Sequence, residues 1–146
     1  MLERQQPLRE AIVLGTGGHD LGPAVLVDVT DGEGGLGVQA AGLVNLNGGT
    51  AEGVQTAGLL NINRVSKGLV AAGLANISDT SSAVMLAGLC NVAGTGNPVQ
   101  VAGLLNVAEE SSLQIAGLIN AAGNSKGLQL AVLNFADTSS GVPLGV

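Results

Sequence analysis

The chain has 146 residues, enough for one domain with a continuous core; 46% are hydrophobic, 1% aromatic and 11% charged, so the core must be built from small and aliphatic side chains. High hydrophobicity with few charges excludes intrinsic disorder, and glycine does not recur at every third position as collagen requires. A formal net charge of −6, five Lys and Arg in all, and no Trp or Tyr leave neither the basic patch nor the stacking platform that nucleic-acid binding uses, so no nucleic-acid partner is expected.

Residues 1–10 are polar and carry Glu3, Arg4, Arg9 and Glu10, unlike the basic start and apolar run of a signal peptide. No apolar run approaches the roughly 18 residues of a membrane helix, so no transmembrane segment is expected. Residues 1–20 stand outside the repeat that follows and are expected to form an N-terminal cap, with a repeat domain over 21–146. Within the cap, residues 15–20 follow apolar 11–14 as a phosphate-binding loop would. They lead through Pro23 into a strand rather than the helix such a loop needs, and so read as a glycine-rich turn. Next come Asp28, Asp31 and Glu33 among glycines, an oxygen-rich composition that completes no calcium-loop motif and reads as a solvated connection.

From there the string Ala-Gly-Leu-x-Asn recurs, ending at Asn45, Asn61, Asn76, Asn91, Asn106 and Asn120, with a degenerate copy ending at Asn134. The spacings are 16, 15, 15, 15, 14 and 14 residues, a period near 15. An earlier degenerate copy puts Asp28 in the Asn column, and residues 141–146 begin a further one. Helical repeats need units of 30 residues or more, whereas a unit of 15 with glycine inside each apolar run, frequent β-branched residues and polar connections suits one coil of a β-solenoid. The expected fold is all-β: a single-stranded β-solenoid of about eight coils, with successive coils about 4.8 Å apart and equivalent positions in register.

Stacked asparagines can join their amides along the axis. Gln39, Gln55, Gln100, Gln114 and Gln129 form a second candidate ladder, interrupted by Val70 and Met85. Glycine before leucine suits a corner where a side chain would clash. Leu43, Leu59, Leu74, Leu89, Leu104 and Leu118 are expected to stack inside as the core. Three positions after each Asn, the column Gly48, Arg64, Asp79, Gly94, Glu109, Gly123, Asp137 never places like charges on adjacent coils, as parallel stacking requires.

The residue before each Asn is apolar as well: Val44, Leu60, Ala75, Cys90, Leu105, Ile119 and Leu133. That column and the leucines cannot both point into one narrow coil unless the coil is wide. Either a corner falls between them or an apolar stripe stays outside, and Val44, Leu60, Cys90, Leu105, Ile119 and Leu133 are the expected assembly stripe. Pro23 and Pro143, in the first and last copies, would interrupt pairing at the ends.

The repeated Gln-x-Ala-Gly-Leu-x-Asn, as at residues 100–106 and 114–120, resembles bacterial surface-repeat proteins built from tandem Gly-Leu-x-Asn units, over about residues 36–134. It is more loosely similar to curli-type amyloid subunits, whose units are longer. The first resemblance implies a bacterial repeat protein and the second an extracellular fibre; the absence of a recognisable export signal departs from both. One histidine, His19, one cysteine, Cys90, and no paired carboxylates leave no catalytic, cofactor or metal site to expect. The expected function is a non-enzymatic structural protein that associates with copies of itself into a fibre or layer. The alternative is a monomeric surface binding module or adhesin that presents variable connections such as residues 63–67 on a rigid solenoid.

Overall fold

A computed structural model describes residues 8–13, 25–31 and 35–145, with side chains from Gly37 onward. All regular structure among them is strand: β1 Leu8–Val13, β2 Val25–Asp31, β3 Gly35–Ala41, β4 Val44–Ala57, β5 Leu60–Ala72, β6 Ala75–Ala87, β7 Cys90–Gly96, β8 Val99–Ala102, β9 Leu105–Ala116, β10 Ile119–Ala131, β11 Leu133–Ser139 and β12 Val142–Gly145. From β2 onward every pairing is parallel, and each copy of the repeat lies on the one before it, as a β-solenoid with a period near 15 demands. The Asn column pairs Asn45 with Asn61, Asn61 with Asn76, and so on to Asn120 with Asn134, giving seven stacked rungs. Differences in turn length are absorbed by register shifts between Asn47 and Thr50 and between Ser125 and Leu128, so the ladders stay aligned.

Each coil has two limbs. The first carries the Asn and the second carries the Gln position; they are joined by the Gly-Leu corner on one side and by a polar turn on the other. Asn45 Nδ2 donates to the Thr56 carbonyl at 2.8 Å and Asn61 Nδ2 to the Ala71 carbonyl at 2.7 Å, so an Asn on the first limb reaches the backbone of the second. Gln100 and Gln114 reach back from the second limb to the carbonyls of Val107 and Ala121 at 3.1 and 3.2 Å. The lumen is therefore one amide side chain wide.

That width decides what is inside. Asn, Gln, Ser and Ala fill the interior: Asn61, Asn76, Asn91, Asn106, Asn120, Gln100, Gln114 and Gln129 are all fully buried. The buried apolar cluster is small, Val70, Ala83, Met85, Ala93 and Ala108, and it sits where Val70 and Met85 interrupt the Gln column.

The expected placement of the leucine column is corrected. Leu43, Leu59, Leu74, Leu89, Leu104 and Leu118 are 41–51% exposed. Alternation along a strand would place Leu on the same side as the Asn two residues on, but the chain bends at Gly-Leu and the bend turns the leucine outward. The glycine is required there by close approach: a Cβ on Gly88 or Gly103 would run into the carbonyl oxygen of Gly73 or Gly88 one coil earlier. A different glycine column, Gly37, Gly53 and Gly68, has φ of 100–130° and ends the polar turn in a conformation that side chains rarely adopt.

At the N-terminal end, β1 lies antiparallel along β2 from Leu8–Asp31 to Val13–Val25. The remainder of residues 1–20, with the glycine-rich turn and His19, as well as Pro23 and Glu33, lies outside the described residues.

Candidate functional site

The Asn ladder is continuous. Nδ2 of each Asn donates to Oδ1 of the Asn one coil later, at 2.8 Å from Asn45 to Asn61 and from Asn61 to Asn76, 2.9 Å from Asn76 to Asn91, and 3.0 Å from Asn91 through Asn106 and Asn120 to Asn134. The other Nδ2 hydrogen is taken by a carbonyl of the second limb, such as Val101 for Asn91 and Ile115 for Asn106, which fixes the amide orientation. The Gln ladder runs with opposite polarity. Gln114 Nε2 donates back to Gln100 Oε1 and Gln129 Nε2 to Gln114 Oε1, both at 2.8 Å, and Gln55 Nε2 donates back to Gln39 Oε1. The amide rows thus point in opposite directions along the axis.

Each break in the Gln column leaves its mark. Gln55 Oε1 and Gln129 Oε1 are buried without partners, and the residues in register one coil later are Val70 and Pro143, neither of which has an amide to offer.

With the amides inside, the aliphatic side chains lie outside. On the first limb, the residues flanking each Asn point outward: Leu60 and Ile62, Ala75 and Ile77, Cys90 and Val92, Leu105 and Val107, Ile119 and Ala121, Leu133 and Phe135. Of the six expected stripe residues, Val44, Leu60, Cys90, Leu105 and Ile119 are half-buried and Leu133 is exposed, so all lie on this outer side. Cys90 is a free cysteine packed between Ala75 and Leu105 of the neighbouring coils. The second limb has its own outer face, made by the residues flanking the Gln column: Leu69 and Ala71, Val84 and Leu86, Val99 and Val101, Leu113 and Ile115, Leu128 and Leu130, Val142 and Leu144. Thr56 is the polar exception. This second face was legible from strict alternation about Gln and was missed by attending only to the residues before Asn.

From Gly37 onward charge is confined to the polar turn. From Gly37 onward the charged residues are Glu52, Arg64, Lys67, Asp79, Glu109, Glu110, Lys126 and Asp137, and every one falls three to seven positions after an Asn. Lys126 Nζ pairs with Glu110 at 3.2 Å and donates to Asn97 Oδ1 at 3.1 Å on this edge. Gly94 lies over the Asp79 backbone and Gly123 over that of Glu109, so glycine separates the carboxylates along the column. Beside it lies an open groove of about 540 Å³ whose lining includes Ile77, Val92, Val107, Asp79 and Glu109.

Among the described residues no group of three or more His, Cys, Asp or Glu is placed to hold a metal, and no helix is long and apolar enough to cross a membrane. No family model matches the chain, and comparisons with curated proteins and with solved structures return no match.

Proposed function

We propose that the protein is a structural element that packs against copies of itself through its flat outer faces to build a layer or fibre. The observation that carries this reading is the inversion of polarity: amides fill the lumen and two opposite aliphatic faces run the length of the coils. Contiguous apolar surface of this extent on a soluble monomer marks an interaction site. A stable protein interface buries about 800 Å² on each partner, an area that flat faces several coils long are suited to supply. One such face would close as a dimer; two on opposite sides let each copy bind two others, so assembly is open-ended. The scaffold role falls to the Asn and Gln ladders, which hold the coils in register, and the contact role to the columns flanking them.

Negative-stain electron microscopy over a protein concentration series tests this. Ordered layers or filaments that lengthen with concentration are expected. Short isolated rods at every concentration would refute self-assembly and favour a monomeric module that presents its turns to a partner.

A further inference from the structure

Seven buried side-chain atoms have no hydrogen-bond partner among the described residues, and three of them, Asn45 Oδ1, Gln55 Oε1 and Gln129 Oε1, lie where an amide ladder starts or breaks. The other four are Nδ2 of Asn47, Nδ2 and Oδ1 of Asn63, and Oγ of Ser111. They belong to neither ladder, and all lie two to five positions after a ladder Asn, on the turn side of the lumen. Ser111 stands alone three coils on, whereas Asn47 and Asn63 are neighbours. Native proteins leave few buried polar atoms unpaired, so a group of three on adjacent coils marks a place where another molecule supplies the bonds.

Asn47 and Asn63 stand in register, as Asn45 and Asn61 do two residues earlier. The earlier pair bonds directly at 2.8 Å; the later pair does not. The spacing from Asn45 to Asn61 is 16 residues rather than 15, and the register shifts between Asn47 and Thr50. In that turn Asn47 Oδ1 accepts the Gly49 N–H at 2.8 Å, which commits the amide to its own turn instead of the axis. On the next coil Ser78, in register with Asn63, is hydrogen-bonded through its Oγ to Ser66 Oγ across the lumen. The Asn63 amide therefore meets neither neighbour, although Asn47 is only 5% and Asn63 only 3% exposed.

The orphan atoms define the chemistry of the ligand. Two Nδ2 groups need an acceptor and one Oδ1 needs a donor. A cation would leave the donors unpaired and an anion the acceptor. Either would also be a buried charge without a counter-charge, since the described charged side chains lie on the polar turn and are at least partly exposed. Water both accepts and donates, and a buried water typically makes about three hydrogen bonds. We infer that the lumen binds water between Asn47 and Asn63: the molecule accepts from the two Nδ2 groups, donates to Asn63 Oδ1, and takes the place of the amide rung that the longer turn removes. This site is separate from the outer faces and is the same in a monomer or a layer.

The test is NMR of the nitrogen-labelled protein, in solution if it stays monomeric and under magic-angle spinning if it assembles, reading through-space transfer from water to side-chain amide protons. Cross-peaks are expected at the Asn47 and Asn63 amides and none at those of Asn76, Asn91 and Asn106, which are equally buried but give their Nδ2 hydrogens to protein acceptors. In Asn63→Leu an aliphatic chain fills the space, as Met85 does in the Gln column. There the Asn47 cross-peak is expected to be lost while the ladder amide resonances keep their positions. The wild-type comparison stands even where this variant does not fold. Absence of cross-peaks at Asn47 and Asn63, equal cross-peaks at the ladder amides, an unchanged Asn47 cross-peak in folded Asn63→Leu, or a direct Asn47–Asn63 amide bond in a crystal structure would overturn the inference.

Discussion

Asn91 holds the middle of the seven-rung ladder and shows what one amide does in this fold. Its Nδ2 serves Asn106 Oδ1 and the carbonyls of Met85 and Val101, while its Oδ1 accepts from Asn76. Asn91→Ala would strand polar groups on both neighbouring coils and both limbs. At about 1–3 kcal/mol for each buried group left unpaired, we expect a loss of at least about 3 kcal/mol, read as a lowered denaturation midpoint. The first rung offers the converse test. Asn45 Oδ1 has no partner among the described residues, and Asp28 is the residue in register one coil earlier. The ladder's polarity calls for a donor from that side, so Asp28→Asn should extend it by one rung and stabilise by about 1 kcal/mol; an unchanged or lowered midpoint would count against the polarity as described.

At the scale of the element, the corner sets the shape of the coil. The Gly-Leu pair lets successive backbones stack so closely that no Cβ fits at the glycine. Gly103→Ala would force the Cβ into the Gly88 carbonyl oxygen, backbone that cannot move without parting two coils. A cost of about 3 kcal/mol, at the upper end of overpacking penalties, is expected in thermal denaturation followed by circular dichroism. Alanine at Gly94, in the polar turn, would meet the Asp79 carbonyl just as closely, so close approach between coils is not confined to the corner. Pro143 acts differently. It occupies the Gln column over Gln129 and ends that ladder, leaving Gln129 Oε1 unpaired.

For the whole molecule, the distribution of polarity governs behaviour. The usual arrangement of apolar core and polar surface is exchanged for an amide lumen and aliphatic faces, with the charge of the described side chains gathered on one edge. Amides can occupy the lumen because the ladders and opposing carbonyls satisfy most of them; an unpaired amide row there would be costly. Leu105→Lys places a cation in the middle of the first outer face, where Leu105 is only half-buried and its aliphatic stem can still lie along the surface. We expect a folded monomer that no longer assembles, seen as a concentration-independent mass in sedimentation; assembly that persists would exclude this face as the contact.

The sequence by itself determined the period, the parallel register and the identity of the stacked columns, because a parallel solenoid repeats chemistry at fixed spacing and identical residues recur wherever coils meet. Asn45 to Asn134 could be read as a ladder, with Gln39, Gln55, Gln100, Gln114 and Gln129 as its interrupted counterpart, since both need only equal spacing to meet. Which side of the coil each column takes was decided only by the tertiary structure. Leu and Asn stand two residues apart, so alternation would give them the same face; the bend at Gly-Leu reverses that assignment, and a composition rich in leucine suggests an aliphatic core that the coil has no room to hold. The lumen is one side chain wide, and in that space amides that bond both along and across the coil displace leucine to the surface.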